Sequence, residues 1–214
     1  MVGNHSGNDY WKLFRERTEG LDGRQKGKSV IVDPARTFDK HMHLETERLI
    51  IRKFRPSDAV FILKLVNEPA FHANIGDKNI RDENDALAYI RKSGSESYAR
   101  LGFEMYLVAL KDSGASIGIC GLLQREFLPH PDLGFAYASE FWNKGYGTEA
   151  AKAVISWATT TLGHSKLSAF TSTANGASLQ LLKKSGFVSL GEQILPGREE
   201  KSHVLLWHAP AEKT

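Results

Sequence analysis

Two glycines one residue apart, Gly145 and Gly147, stand where an extended segment gives way to a helix-like apolar pattern. Glycine has no side chain to keep an anion from the backbone, and the free N–H groups and dipole of a helix start favour phosphate there. Lys144 adds a positive charge in the same turn. Residues 142–150 therefore predict a cradle for the pyrophosphate of a cofactor.

The glycine spacing also fits the dinucleotide-binding fingerprint, because Ala150 completes a Gly-x-Gly-x-x-Ala pattern. That fingerprint follows a buried apolar strand and precedes an acidic residue about 20 positions on, which binds the ribose. Here the turn follows the mixed segment 138–142, and the later strand candidate, residues 166–173, has no Asp or Glu. The sequence therefore disfavours a dinucleotide.

The match to a P-loop motif is weaker still. Gly27, Lys28 and Ser29 look like the end of that motif, but Asp22 stands at the position of its first glycine. The residues that follow include Pro34 and do not predict a helix.

The wider pattern, over residues 44–210, resembles the GNAT acetyltransferase superfamily. In that family a Gln/Arg-x-x-Gly-x-Gly/Ala turn takes the pyrophosphate of coenzyme A, and here Trp142 stands at the Gln/Arg position. The run 142–150 is similar to the ribosomal-protein N-terminal acetyltransferase (RimJ/RimL-like) branch, which has aromatic-x-Lys-Gly-Tyr-Ala/Gly-Thr-Glu-Ala. A second block, from Asn175 to Phe187, is similar to that branch's Asn-x-x-Ser-x-x-x-Leu-x-x-x-Gly-Phe.

This resemblance implies an acetyl-CoA-dependent N-acetyltransferase that acts on a primary amine, in a small molecule or at a protein N-terminus, by direct attack in a ternary complex. The alternative is a non-catalytic CoA-binding or regulatory module of the same fold. The residues implied to contact the cofactor are Phe135, Ala136, Tyr137, Lys144, Gly145, Tyr146, Gly147, Thr148, Asn175 and Ser178. Asn175 is also a favourable turn residue on its own.

Acetyl transfer to an amine requires a group that accepts a proton, because only the neutral amine attacks a thioester. Asp132 matches a position where the branch often carries Glu, and it is the first candidate for this role. Glu104 and Tyr106 are weaker candidates, and Glu140 is equally well explained as a surface charge.

The group that would protonate the departing CoA thiolate is less obvious. Many family members present a Tyr four residues before the glycine of the Gly-Phe pair, and this chain has Leu182 there. Ser178 is the one hydroxyl that the second block offers near the sulfur. Because a thiol has a pKa near 8.5, its thiolate leaves without a strong acid, so Ser178 is expected to orient rather than donate.

The elements that position these residues follow from hydrophobic period. Strands are predicted over 49–54, 105–110, 116–124, 133–138, 166–173, 188–194 and 203–208, and helices after Ser57 or Asp58, from Asp82 to near Tyr98, over 150–162 and over 177–184. The resemblance implies an α/β (α+β) GNAT fold, a mixed, mostly antiparallel central sheet of about seven strands with helices on both faces. We expect an extension (1–43) with one short helix near Tyr10, the acetyltransferase domain (44–210) and a short tail (211–214).

The acceptor pocket is expected beside residues 67–81, with Phe71, His72 and Ile75, and beside residues 193–201. The mixed character of these segments fits both a metabolite and a peptide.

Composition excludes several other classes. The net charge is +3, and residues 1–43 hold eight Lys or Arg against six Asp or Glu, so nucleic-acid binding is not expected. Cys120, the single cysteine, stands in an apolar run and predicts a buried structural thiol in a reducing compartment. We expect a cytoplasmic protein, monomer or homodimer, with no metal and no membrane segment.

Overall fold

The computed structural model describes residues 43–210. The predicted helix near Tyr10, the rest of the 1–42 extension and the tail at 211–214 lie outside these residues. The described chain forms one eight-stranded sheet in the order β1-β2-β3-β4-β5-β6-β8-β7. The strands are β1 (His43–Glu45), β2 (Leu49–Arg52), β3 (Met105–Leu110), β4 (Ser116–Leu123), β5 (Asp132–Tyr137), β6 (Lys166–Ser172), β7 (Val188–Ile194) and β8 (Lys201–His208).

All neighbouring strands pair antiparallel except β5 and β6, which are parallel. The mixed, mostly antiparallel sheet is therefore confirmed, and it has one strand more than the seven predicted. The additional strand is β1, a three-residue edge strand whose His43 pairs with Arg52.

Six α-helices flank the sheet within the described residues. They are α1 (Ala59–Val66), α2 (Pro69–Ile75), α3 (Glu83–Ser93), α4 (Ser95–Leu101), α5 (Tyr146–Thr160) and α6 (Gly176–Lys184). Asp82 caps α3 by accepting a hydrogen bond from the Asp85 amide at 2.9 Å, as its position before the helix predicts. Among these helices, none is long and apolar enough to cross a bilayer.

The helices differ from the sequence prediction in three respects. The helix predicted from Asp82 to Tyr98 is divided at Gly94, and α2 was not predicted. Asp58 does not cap α1 with its side chain. Its carboxylate accepts hydrogen bonds from both terminal guanidinium nitrogens of Arg52 at 2.8 Å and from the Arg55 amide at 2.7 Å, so this buried acid pairs with the chain before the helix instead.

Apolar layers cover both faces of the sheet. On one face, α5 contributes Ala151, Val154 and Ala158, whose spacing places them on one side of the helix. On the other face, α1 and α3 contribute side chains such as Ile62 and Ile90. Helices on both faces are thus confirmed. Successive side chains of β5 alternate between the two layers, so one strand is buried by both groups of helices.

Candidate active-site cleft

The cleft begins where β5 and β6 separate. These strands pair only at Asp132 and Ser168, where the Ser168 amide donates to the Pro131 carbonyl at 2.9 Å. Since β4 pairs with the whole of β5, the backbone groups on the other edge of β5 face the gap. A cleft of about 1380 Å³ runs from this gap between the two helical layers.

The glycine turn lies at the carboxyl end of β5 and lines the cleft. Gly145 has a φ of +81°, a left-handed conformation that favours glycine, and it immediately precedes α5. Asn143 also has a positive φ, of 60°. The first N–H groups of α5, at Tyr146, Gly147 and Thr148, have no acceptor within the helix. The turn therefore presents helix-terminal donors to the cleft, as an anion requires.

Gly147 has a different reason to be glycine. A Cβ atom there would come within 2.5 Å of Leu181 Cδ1 and 3.2 Å of Tyr137 Cε2. A Cβ at Gly118, on β4, would come within 2.4 Å of the same tyrosine ring. Gly118 and Gly147 thus make room for Tyr137, whereas the sequence interpretation assigned Gly147 to phosphate approach alone.

An ion pair behind the turn fixes its position. Arg48 Nε donates to Glu149 Oε2 at 2.7 Å, its backbone N–H donates to Oε1 at 2.9 Å, and its Nη1 donates to the Lys144 carbonyl at 3.0 Å. The guanidinium also lies 4.6 Å from the centre of the Tyr146 ring. These contacts, which we call the Arg48 clasp, join the β1–β2 turn to the first turn of α5.

The side chains of Lys144 and Trp142 make contacts within the protein that the sequence did not indicate. The Lys144 ammonium lies 5.3 Å from the centre of the Phe141 ring, and Lys144 does not line the cleft. Trp142 lines the cleft with 43% of its surface exposed, and its indole N–H donates to the Tyr137 carbonyl at 2.7 Å. Trp142 therefore bonds the end of β5 to the turn.

Helix α6 borders the cleft from the other side. Asn175 Oδ1 accepts from the Ser178 amide at 3.0 Å, so Asn175 caps the helix and keeps its amide NH₂ for other partners. Ser178 is half-buried and lines the cleft. Leu182, which stands at the family's tyrosine position, is buried in the apolar core, and Leu181 lines the cleft instead.

The predicted cofactor residues are thus brought together with one exception. Those that line the cleft are Phe135, Ala136, Tyr137, Gly145, Tyr146, Gly147, Thr148, Asn175 and Ser178. The exception is the side chain of Lys144. Cys120 lies in the core, and burial raises the pKa of its thiol to about 12, which makes it a poor nucleophile.

Asp132, the first candidate for proton acceptor, lines the cleft at the paired end of β5 and is 1% exposed. Its Oδ2 accepts a hydrogen bond from the Arg125 guanidinium, with which it forms an ion pair. Among the described residues its Oδ1 has no hydrogen-bond partner. A buried carboxylate oxygen without a donor is available to a ligand or a water molecule.

The weaker candidates lie outside the cleft lining. Glu104 is buried, and burial raises the pKa of its carboxyl to about 7, although Lys53 Nζ lies 3.8 Å away and opposes this shift. The Tyr106 ring is fully buried, and burial raises the pKa of its hydroxyl above the ordinary value. Glu140 is exposed and pairs with Lys64 at 3.3 Å, as a surface charge would.

The sequence did not indicate the basic side chains at the paired end of the cleft, the end where β5 and β6 pair. Arg125 follows β4 and Arg198 follows β7, and their guanidinium carbons lie 4.8 and 4.7 Å from the centre of the Phe170 ring. Lys78 lines the same cleft. Lys78 and Arg198 fall in the two segments predicted to border the acceptor pocket. His72, also named for that pocket, does not line the cleft.

The chain matches a family model described as an acetyltransferase (GNAT) domain over residues 48–188. A Bacillus subtilis (strain 168) protein named uncharacterized N-acetyltransferase YoaA is 28% identical over 151 residues, which cover 69% of this chain and 84% of that protein.

Solved structures show the same fold. A ribosomal-protein-S5-alanine acetyltransferase from Vibrio fischeri has a TM-score of 0.62 at 19% identity and covers 80% of this chain and 99% of its own. RimL, a ribosomal L7/L12 alpha-N-protein acetyltransferase solved in complex with coenzyme A, has a TM-score of 0.68 at 14% identity and covers 78% of this chain and 97% of its own.

Proposed function

The chain belongs to the GNAT family and is an acyltransferase, and from that premise we propose that it transfers the acetyl group of acetyl-CoA to a primary amine. The observation that carries this proposal is the continuity of the cleft. The glycine turn lies at one end of β5, the buried Asp132 lies at the other, and the open edge of the strand joins them.

The turn fits the pyrophosphate of coenzyme A on geometric grounds. Gly145 is in the left-handed region, and helix-terminal N–H groups point to the cleft. The open edge of β5, at Phe135 and Ala136, offers backbone donors and acceptors to the amides of a pantetheine arm. Acetyl-CoA supplies the activated thioester, and one β5 N–H is placed to stabilise the negative charge that develops on its carbonyl oxygen.

The amine nitrogen forms the new bond to the acetyl carbon while the carbon–sulfur bond breaks. An amine protonated at neutral pH first gives a proton to Asp132, through Oδ1 directly or through water. The thiolate that leaves is orientated by the Ser178 hydroxyl and takes, through water, the second proton that the nitrogen loses as it becomes an amide. Since an ordinary thiol has a pKa near 8.5, this step needs no strong acid, which is consistent with Leu182 at the family's tyrosine position.

Within the family we place the chain beside the ribosomal-protein N-terminal acetyltransferases, because residues 142–150 and the block from Asn175 to Phe187 are similar to that branch. RimL and the Vibrio fischeri enzyme, which act on ribosomal proteins according to their names, share the fold with this chain. The acceptor is then a small-molecule amine or a protein N-terminus. A cytoplasmic location, where acetyl-CoA is made available, is part of the same proposal.

Thermal unfolding tests the cofactor. A ligand present at 100 times its dissociation constant stabilises the folded state by about 2.7 kcal/mol, which raises the melting temperature by roughly 5–10 °C for a chain of this size. We expect this shift with acetyl-CoA and with CoA, and none with NADH or ATP. A shift with NADH alone would contradict the proposal and favour a dinucleotide site.

Thiol release tests the chemistry. With acetyl-CoA and a panel of amines, free thiol should appear in proportion to acetylated amine. Asp132→Asn should lower kcat at least tenfold and leave the KM for acetyl-CoA unchanged, while Glu140→Gln, which removes an exposed carboxyl, should leave both unchanged. CoA binding without thiol release from any amine would favour the non-catalytic module. Wild-type rates for Asp132→Asn across the pH range would remove Asp132 from the proton transfer.

A further inference from the structure

The cleft carries an excess of positive side chains. Among the described residues, its lining includes Lys78, Lys92, Arg100, Arg125, Lys184 and Arg198, but three carboxylates. These positive side chains would not attract an acceptor whose only charged group is its amine, because they repel a protonated amine.

The three carboxylates are already engaged. Glu68 Oε2 accepts from the Ser139 amide at 3.0 Å, and Asp85 Oδ2 accepts from the Arg81 amide at 2.8 Å. Asp132 pairs with Arg125. Within the part of the chain that the structure describes, neither the Lys78 ammonium nor the Arg198 guanidinium forms an ion pair with any of these three. These two charges are thus not neutralised by the carboxylates of the cleft lining.

Two of the cations, Arg125 and Arg198, lie at the paired end of the strands, and Lys78 lines the same cleft within electrostatic reach of both. Arg125 and Arg198 both contact Phe170, which fixes their guanidinium groups beside one ring. Burial lowers the pKa of Lys78, and the charges of Arg125 and Arg198 lower it further. Burial also lowers the pKa of Arg125 to about 10, with a further contribution from Arg198. The three charges are therefore close enough to repel one another, a cost that a bound anion would relieve.

The position of this cluster separates it from the phosphates of the cofactor. Arg125 follows the strand β4 residue Leu123, which pairs with Asp132 at the start of β5, whereas the glycine turn follows the end of β5. The six residues of β5 separate these points by about 3.3 Å each, or roughly 16–20 Å. In coenzyme A the adenosine 3′-phosphate lies on the far side of the diphosphate from the thioester, so it extends away from Arg125.

We propose that the amine acceptor carries a phosphate or carboxylate group and that Arg125, Arg198 and Lys78 bind this anion at the paired end of the cleft. The inference rests on the proposed acetyl transfer and specifies its substrate class. Guanidinium groups suit oxyanions because they donate two parallel hydrogen bonds, and Lys78 adds a point charge. The anion also directs the amine of the same molecule toward Asp132, which shares Arg125 as a neighbour.

A matched amine series tests the inference in the wild-type protein. O-phosphoethanolamine, β-alanine and propylamine have short chains that end in a phosphate, a carboxylate and a methyl group. We expect kcat/KM for the first two to exceed that for propylamine at least tenfold. The tripeptide amides Ala-Glu-Ala and Ala-Lys-Ala separate the sources: preference for the acidic peptide over both small anions would assign the anion to a protein N-terminus.

Arg198→Gln and Lys78→Gln should each raise the KM for the anionic amines about tenfold and leave the KM for acetyl-CoA and for propylamine unchanged. Lys201→Gln removes an exposed lysine outside the cleft lining and serves as the control. Arg125 is left intact because it also holds Asp132.

The outcomes separate this inference from the function beneath it. Equal kcat/KM for propylamine and the anionic amines would overturn the inference and leave acetyl transfer standing. If no amine is acetylated, titration of inorganic phosphate into the CoA-saturated protein still tests the anion site. Saturable binding that Arg198→Gln weakens at least tenfold supports the site, whereas no binding, or equal binding by the variant and the Lys201→Gln control, overturns it.

Discussion

The two ends of the cleft present different parts of the chain to a ligand. The cradle end presents backbone: a left-handed glycine, helix-terminal N–H groups and the open edge of β5. The paired end presents side chains, since Arg125, Arg198 and Lys78 come from three separate segments and meet only in the folded protein.

This difference determines which substitutions each end tolerates. A backbone site is sensitive to added atoms and to displacement of the main chain, but insensitive to the identity of most side chains nearby. A side-chain site has the opposite sensitivity, because removal of one charge removes part of the recognition. The following predictions test this contrast, beginning with the largest effect.

Gly145→Glu should abolish the stabilisation by acetyl-CoA, with an affinity loss of about 100-fold or more. The new side chain strains a backbone at φ +81° and places a negative charge where the cofactor's phosphates are expected. Thermal shift with acetyl-CoA measures the effect. Gly163→Glu is the control, because Gly163 follows the other end of α5 and has φ +74° with no atom within 4 Å of where a Cβ would stand. Equal loss in both variants would mean that strain alone is responsible.

Arg48→Met should weaken acetyl-CoA binding roughly tenfold although Arg48 does not line the cleft. Without the Arg48 clasp, Glu149 keeps a negative charge at the first turn of α5 with fewer donors, and the Lys144 carbonyl loses its partner. A hydrogen bond to a charged group contributes about 1.5–3 kcal/mol, and we expect only part of this loss to reach the cofactor affinity. Calorimetry with CoA measures the loss.

The control for this variant is Arg91→Met, which removes an exposed ion pair with Glu96 and should change little. Unchanged CoA affinity in Arg48→Met would show that the turn holds its geometry alone, and the cradle end would then be a purely local structure.

Glu104→Gln should alter the pH dependence of stability but leave the preference for anionic amines intact. This result would separate the buried Glu104 carboxyl, which lies outside the cleft lining, from the charged groups that line the cleft. Burial raises the Glu104 pKa from 4.5 to about 7, so the folded protein binds this proton more tightly than the unfolded chain. The free energy of unfolding therefore falls as pH rises from about 4.5 to 7 and is level above that range.

Glutamine carries no titrating proton, so the variant should be more stable than the wild type at pH 8 and nearly equal to it at pH 4. Urea unfolding at several pH values measures this. A wild-type slope that persists in Glu104→Gln would assign the pH dependence to other groups.

Trp142→Phe should have the smallest effect. It removes the indole hydrogen bond to the Tyr137 carbonyl, worth about 0.5–1 kcal/mol, but leaves an aromatic ring beside the turn. We expect a melting temperature lowered by a few degrees and a CoA affinity within about twofold of the wild type. A loss above tenfold would show that the cradle end depends on side-chain identity after all.

The sequence predicts the cradle end well because its determinants are local. Gly145 and the apolar stripe of α5 lie within one continuous segment, so spacing alone indicates a turn followed by a helix. The prediction for Gly147 was incomplete for a physical reason. The side chains of Tyr137 and Leu181 leave no room for a Cβ at this position, and only folding brings them there.

The paired end could not be predicted in the same way. Arg125 and Arg198 are 73 positions apart and have no motif around them, and their common neighbour Phe170 comes from a third segment. The sequence indicated only the segments that border the pocket. The missed helix α2 and the division at Gly94 have a different cause, because Pro69 at the start of α2 and the glycine at the break are local signals that hydrophobic period does not register.

The position of β8 sets a condition on when the cleft exists. β8 comes after β7 in the described chain, yet it lies between β6 and β7 and is the antiparallel partner along the whole of β6. A chain that ended before Lys201 would contain the glycine turn, Asp132, Arg125 and Arg198. Its β6, however, would lack the hydrogen bonds to β8 that hold this side of the gap. Synthesis must therefore pass β8 before the site can form, so chains that end before this strand would carry the residues of the site without its chemistry.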